Sequence, residues 1–258
     1  AKKQQVDSLW QEIALNFYPE RADFTSKRNE GEEFADHLFA SYPILARREL
    51  GNMLAEFLRP GEFFSVHVDD EALDEGDEER AFLEHISKIQ WRAMSDPAAN
   101  LVRSASTTDH DFAAFGNGVL RAGKNVAGDG LLFRNYHLRD CAWSENAEGK
   151  VDALHRNWNP TARQLKAHFG NKVSKEVIRA CEKDPEKTFS CRHVVLPSRV
   201  YHYESKGGKS FPYTSLFVER ETDTVLEEVG VNWFEYIVPR WQTVSGSAYG
   251  ISMATMIL

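Results

Sequence analysis

Residues 211–250, FPYTSLFVERETDTVLEEVGVNWFEYIVPRWQTVSGSAYG, carry the reading that decides the fold. From Tyr213 to Arg220 aromatic, β-branched and apolar residues interleave with polar ones, and Val225 to Val231 repeats the pattern after Glu221-Thr222-Asp223-Thr224. Alternation on both sides of a polar turn predicts a β-hairpin. A third run, Trp233 to Val238, stops at Pro239, which has no amide proton for a ladder and belongs at a strand end or an edge. Pro239-Arg240-Trp241 then leads into Ser245-Gly246-Ser247-Ala248-Tyr249-Gly250, where two glycines around a tyrosine predict a tight turn or a close backbone approach.

Upstream of this stretch the period is helical. Val6, Trp10, Ile13 and Phe17 share one helix face, and Tyr18-Pro19 ends that helix. Ser41-Tyr42-Pro43 opens a second, whose Leu50, Met53, Leu54, Phe57 and Leu58 predict a core helix up to the break at Arg59-Pro60-Gly61. A short strand is expected over Phe63 to Val68. Two further helices follow: Glu79 to Ser95 with Phe82, Ile86 and Ile89 inward, and Pro97 to Phe115, capped by Asp96, with Leu101, Ala105, Thr108 and Phe112 inward. From Gly116 the pattern alternates, and Val119 to Ala122, Leu131 to His137 and Val151 to Trp158 read as strands. Asn159-Pro160-Thr161 starts a helix that ends at Phe169-Gly170, Ser174 opens another up to Lys183, and Cys191 to Tyr203 returns to strand. Helices first, then strands with inserted helices, define an α+β chain with a mostly antiparallel β region.

Charge is informative once it is located. The chain has 39 acidic and 31 basic residues, and the eight acidic residues of 69–79, DDEALDEGDEE, account for the whole excess. That run reads as a solvated surface segment. No basic tract offers the clustered cations that tight nucleic-acid binding requires. No apolar run approaches the ~20 residues that cross a bilayer, so no membrane partner is expected. Cys141, Cys181 and Cys191 show no CxxC spacing, which argues against a zinc ribbon or a disulfide framework and for a reducing compartment. The chain starts without methionine, and Ile251 to Leu258 is apolar with nothing to close it, as if a longer helix began there.

Candidate chemistry is sparse. Asp109-His110-Asp111 resembles a metal cluster, but neighbours in sequence do not share a helix face, and a surface position is expected. Cys191 and His193 share a strand face and could pair as nucleophile and base, although no orienting acid accompanies them. His155, His168 and His202 lack metal-ligand spacing. Gly116-Asn117-Gly118 and Gly246 to Gly250 lack the phosphate-loop pattern, and tight turns explain both. The tryptophans at 10, 91, 143, 158, 233 and 241 are not interleaved with basic residues and read as core. No catalytic, cofactor or metal residue is assigned.

Spaced motifs carry a resemblance. They are WQEIALNFYPERADF (10–24), ARRELGNMLAEFLRPGEFFSVHV (46–68), FAAFGNGVLRAG (112–123), NWNPTARQLKAHFG (157–170), RHVVLPSRV (192–200) and VPRWQTVSGSAYG (238–250). In this order the chain resembles the N-terminal, wing part of the head-to-tail connecting (portal) proteins of short-tailed bacteriophages. The resemblance implies a mainly helical part of the wing at 1–115, a β-rich part with inserted helices at 116–250 and the start of a stem helix at 251–258. It also implies a structural subunit without catalysis or cofactor, in a ring, usually of twelve copies, at one capsid vertex of the virion. Its expected partners are itself, capsid and scaffolding proteins, the packaging terminase, tail proteins, and double-stranded DNA passing without sequence-specific binding, with assembly in the host cytoplasm. The motif residues singled out are Pro239, Arg240, Trp241, Gly246, Tyr249 and Gly250. Trp241 is expected to cover the seam between sheet and stem helix, and Gly250 to need a positive φ or a close backbone neighbour. The rival reading is a metal-dependent phage hydrolase or nuclease using Asp109, Asp111, His137 or His155. A stand-alone adaptor module is a third.

Overall fold

A computed structural model describes residues 2–27, 31, 38, 40–59, 64–68, 76–125, 127–201 and 211–258. Helix α1 (Lys2–Phe17) forms where the periodicity places it, with Trp10 and Ile13 buried, and closes through Tyr18 N–H on the Ala14 carbonyl. Helix α2 (Tyr42–Leu58) carries Pro43 in its first turn, where the missing N–H costs nothing. Helix α3 (Asp77–Ser95) begins with Asp77, Glu78 and Glu79, which suit the positive end of the helix dipole. Asp96 caps a short 3-10 turn, Pro97–Ala99, by accepting from Ala98 N–H at 2.8 Å. Asn100 then takes a left-handed φ of 59°, so α4 spans only Leu101–Phe115 and not the continuous helix expected from Pro97.

The remaining chain builds two antiparallel sheets, so the molecule is α+β. Strands β1 (Leu120–Lys124), β2 (Leu131–Asn135), β3 (Cys141–Glu145), β4 (Val151–Trp158), β5 (Cys191–Pro197), β6 (Tyr213–Glu219), β7 (Thr224–Val231) and β8 (Tyr236–Ile237) divide into orders β2-β1-β8 and β3-β4-β5-β6-β7. The hairpin of 211–231 is β6–β7. The third run does not extend it, because β8 crosses to pair with β1 in the smaller sheet. Helices α5 (Ala162–Phe169), with a reciprocal Thr161–Gln164 capping box, and α6 (Lys175–Lys183) are inserted between β4 and β5. The short helices α7 (Ser198–Tyr201) and α8 (Met253–Ile257) complete the described elements.

One face of the five-stranded sheet organises the interior. Its register aligns Leu154, Val195 and Ser215 in one row, Arg156, His193 and Phe217 in the next, and Trp158, Cys191 and Glu219 in a third. The first row joins the main core, where Trp10, Ile13, Ala14, Ala114, Phe115, Val119, Leu138, Trp143 and Ala254 bring α1, α4, β3 and α8 together. The third row lies under α5 and α6, against Leu165, Phe169, Val177 and Ala180. Arg156 and His193 therefore lie between two apolar clusters on a single sheet face, with Phe217 of the same row belonging to the second cluster.

Three expectations are corrected. Helix α2 is not a leucine-faced core helix: Arg47 and Gly51 are its buried residues, while Met53, Phe57 and Leu58 are exposed. Along α3 no residue is buried, and Phe82 and Ile89 are 62% and 52% exposed, so this helix does not turn its apolar side inward among the described residues. Residues 64–68 form no strand. Phe63, His202 and residues 69–75 of the acidic run lie outside the described residues.

Candidate functional site

The motif residues meet at a seam between the end of α4 and the chain leaving β8. Gly116 ends α4 with a left-handed φ of 66° and its N–H on the Phe112 carbonyl, the geometry that favours glycine after a helix. Asn117, wholly buried, donates from Nδ2 to the carbonyls of Phe115 and Gly250, each at 2.8 Å, and accepts Gly250 N–H on Oδ1 at 2.7 Å. Backbone bonds run alongside, from Trp241 N–H to the Gly116 carbonyl at 2.8 Å and from Gly118 N–H to the Pro239 carbonyl at 3.3 Å. An antiparallel bridge between Gln242 and Ile251 closes the loop on itself. The two glycine-containing loops of the sequence are thus halves of one clasp.

Each motif residue has a physical role in the clasp. A β-carbon on Gly250 would lie 2.6 Å from the Gly116 carbonyl oxygen, so the close approach, not a positive φ, demands glycine there. Gly246 instead takes a φ of 84° with open space around it. Tyr249 packs its ring 4.6 Å from Trp143 and 5.7 Å from Trp10, and Trp143 donates its indole N–H to the Ala248 carbonyl at 2.8 Å. Arg240 pairs with Glu145 and donates to the Gly149 carbonyl at 3.0 Å, fastening the clasp to the β3–β4 turn. Trp241 does not cover the seam as expected: it rests on Phe112 at 5.2 Å and stays 37% exposed, because Tyr249 and Trp143 fill the core position.

The other candidate residues are engaged elsewhere. Asp109 and Asp111 are buried, not on the surface, and point apart: Asp109 pairs with Arg59, while Asp111 accepts both Nε and Nη2 of Arg21 at 3.1 and 3.0 Å. Asn135 adds bonds to Asp111 and Thr108, each at 3.0 Å. His110 instead faces Arg47, 3.2 Å away. His137 Nε2 lies 2.7 Å from Asp23. Burial tends to raise the Asp23 carboxyl, but His137, Arg139 and Arg21 outweigh it and hold it below the usual range. His155 and His168 are both exposed and both lowered, chiefly by desolvation.

Cys191 and His193 occupy one face but do not form a nucleophile–base pair. Burial, reinforced by Glu219 and Glu221, pushes the Cys191 thiol up to about 12. The His193 ring is taken by the Tyr236 hydroxyl at 2.6 Å and the Ser215 hydroxyl at 2.8 Å, and stacks on Phe217 at 3.9 Å. Burial, with Arg121 and Arg156 nearby, keeps it neutral well below the ordinary histidine range. Among the described residues no three or more His, Cys, Asp or Glu side chains gather to hold a metal ion. Sequence reasoning missed Asn117 and the buried ion pairs. An asparagine between two glycines at a helix-to-strand switch was the available signal for the first.

In this α+β chain the motif residues are engaged with its own backbone. The chain belongs to the family of bacteriophage head to tail connecting proteins, which matches residues 1–258. Among curated relatives, a portal protein of Salmonella phage epsilon15 is 24% identical over 163 residues, covering 62% of this chain and 29% of that protein. The chain therefore spans less than a third of that relative's length.

Proposed function

We propose that these residues form the wing of a connector subunit that assembles into a ring at one capsid vertex, through which DNA is packaged and ejected. The observation that carries the reading is the family match along all of residues 1–258. Residues 1–115 and 116–250 would be the helical and β-rich parts of the wing, with 251–258 leading into the stem. Pro239, Arg240, Trp241, Gly246, Tyr249 and Gly250 would set the angle at which the stem leaves it. Packaging motor, capsid and tail proteins would dock on the ring in the virion, after assembly in the host cytoplasm. Physical support comes from saturation of the candidate catalytic groups by internal partners, which suits a scaffold without catalysis of its own. A balanced surface also limits the counterion release that would hold DNA in place.

The test is native mass spectrometry and electron microscopy of the full-length protein, with in vitro packaging into empty capsids. Closed rings and connector-dependent DNA uptake are expected. A monomer that packaging does not require would overturn the reading, as would divalent-metal-dependent nuclease activity abolished by Asp111→Asn.

A further inference from the structure

Asn117 and Gly118 are each required by packing, and side by side they make a chemically labile pair. Asn117 is wholly buried, with its amide bonded to three backbone groups. A β-carbon on Gly118 would lie 2.6 Å from Thr108 Cγ2, so glycine is needed beside it. No other asparagine of the chain is followed by glycine. Asparagine is among the thermolabile residues. A following glycine makes it most so, because a backbone nitrogen with no side chain beside it reaches the carboxamide carbon unhindered.

The closed clasp blocks that approach. To meet the Gly118 nitrogen, the Asn117 carboxamide must first leave the Phe115 and Gly250 carbonyls and the Gly250 N–H. Gly118 N–H is itself held by the Pro239 carbonyl at 3.3 Å, and Asn117 pairs with Arg240 in an isolated antiparallel bridge. The opposite half of the clasp lies at the surface, where residues 241–246 are all exposed. Such a segment lifts away at a lower free energy than global unfolding requires.

We propose that Asn117 is a deamidation site that opening of the clasp switches on. In the open clasp the Gly118 nitrogen attacks Asn117 Cγ. A C–N bond forms, the Cγ–Nδ2 bond breaks, and Nδ2 leaves as ammonia with the proton that the Gly118 nitrogen gives up. Water then opens the cyclic imide at either of its carbonyls, leaving aspartate or isoaspartate, and no oxidant or reductant is needed. The product does not remake the clasp. An oxygen stands where Nδ2 donated, so the Phe115 and Gly250 carbonyls lose their donor and face a carboxylate in a buried seam. Isoaspartate also adds a methylene to the backbone between α4 and β1. A reversible opening thereby becomes permanent, whether or not the chain builds a ring.

Peptide mass mapping of aged protein, which reads the change from amide to acid at Asn117, tests the proposal. Wild-type protein in native buffer at mildly alkaline pH should convert at least about tenfold more slowly than the same chain in denaturing urea. Two variants loosen the clasp: Gly250→Ala crowds the Gly116 carbonyl, and Arg240→Gln removes the pairing with Glu145 without crowding the backbone. At least one of them, with a native circular dichroism spectrum, should convert about fivefold faster than wild type or more. Gly51→Ala, which disturbs the packing of α2 on His110 and leaves the clasp intact, should keep the wild-type rate. Purified deamidated protein and Asn117→Asp should share a lowered urea midpoint. Equal rates in the native and unfolded chain, no conversion in the unfolded chain, a rate unchanged in both clasp variants, equal acceleration by Gly51→Ala, or a wild-type midpoint for Asn117→Asp would overturn the proposal.

Discussion

Asn117 shows how one side chain can hold two distant backbone segments. Its amide bonds three backbone groups, and with no alternative partner inside the seam those groups would be left unsatisfied. Asn117→Ala is therefore expected to destabilise by about 2–4 kcal/mol in denaturant melts. A loss below about 0.5 kcal/mol would mean that water enters the seam freely. Glycine matters there for two different reasons. Gly250→Ala drives a methyl into a backbone oxygen, whereas Gly246→Ala only strains an open turn by about 1 kcal/mol. Gly250→Ala should be the more damaging of the two, and the reverse ranking of unfolding midpoints would refute the clasp geometry. Trp241→Ala, at a half-open position, should cost about 1–2 kcal/mol, less than a buried indole would. His193 gives a pH dependence with a definite sign. Its folded pKa lies well below 6.5, so the unfolded chain binds more protons as pH falls below that value. Stability then falls with acidification in that window, and His110, His155 and His168 are shifted in the same direction. Urea midpoints should drop between about pH 7 and about pH 5, with a shallower slope in His193→Gln. Equal slopes would show that His193 does not titrate on unfolding in that range.

At the scale of elements, α2 separates propensity from packing. Gly51 lies inside this helix, where alanine is favoured over glycine by about 1 kcal/mol. A β-carbon at that position would fall 2.1 Å from His110 Nδ1, and Arg47 hems the same ring in at 3.2 Å. Gly51→Ala is therefore expected to lower stability by about 1–3 kcal/mol despite its better propensity. A rise in melting temperature would mean that His110 simply swings aside. The helix uses glycine to let α4 approach, with Arg47 stacked 3.8 Å over Tyr18 as the second buried contact. Strand β3, absent from the sequence reading, exists because Cys141 and Trp143 alternate inward against Arg156 and Leu154. Its five residues follow a histidine-capped turn and carry too little β-branched character to stand out.

For the whole molecule, the distribution of charge sets an expectation about nucleic acid. Outside 69–79 the acidic and basic residues balance, and several cations inside are already committed to carboxylates, as in Arg21–Asp111, Arg59–Asp109, Arg121–Glu235 and Arg240–Glu145. The remaining cations form no basic tract along which the counterions of a duplex could be replaced. The polypeptide of residues 1–258 should bind double-stranded DNA only weakly at physiological salt. Anisotropy titrations yielding submicromolar affinity there would contradict it.

Period and punctuation in the sequence were enough to determine most elements, because spacing and caps are local. Trp10 and Ile13 place α1, Thr161 and Gln164 start α5, and the alternation of 213–231 makes the hairpin. The motif around 239–250 was legible as a place where glycine was needed. Which neighbour demanded it was not, since Gly116 lies more than a hundred residues away and sequence holds no distance between loops. The same blindness turned the apolar residues of α2 and α3 inward, because amphipathic spacing names a face without naming what covers it. It also left Asp109 and Asp111 on the surface, for a carboxylate is buried only when arginines remote in the chain, Arg59 and Arg21, are brought to it. Tertiary structure alone decided these pairings, because their energy depends on groups that meet only after the sheets and helices have packed.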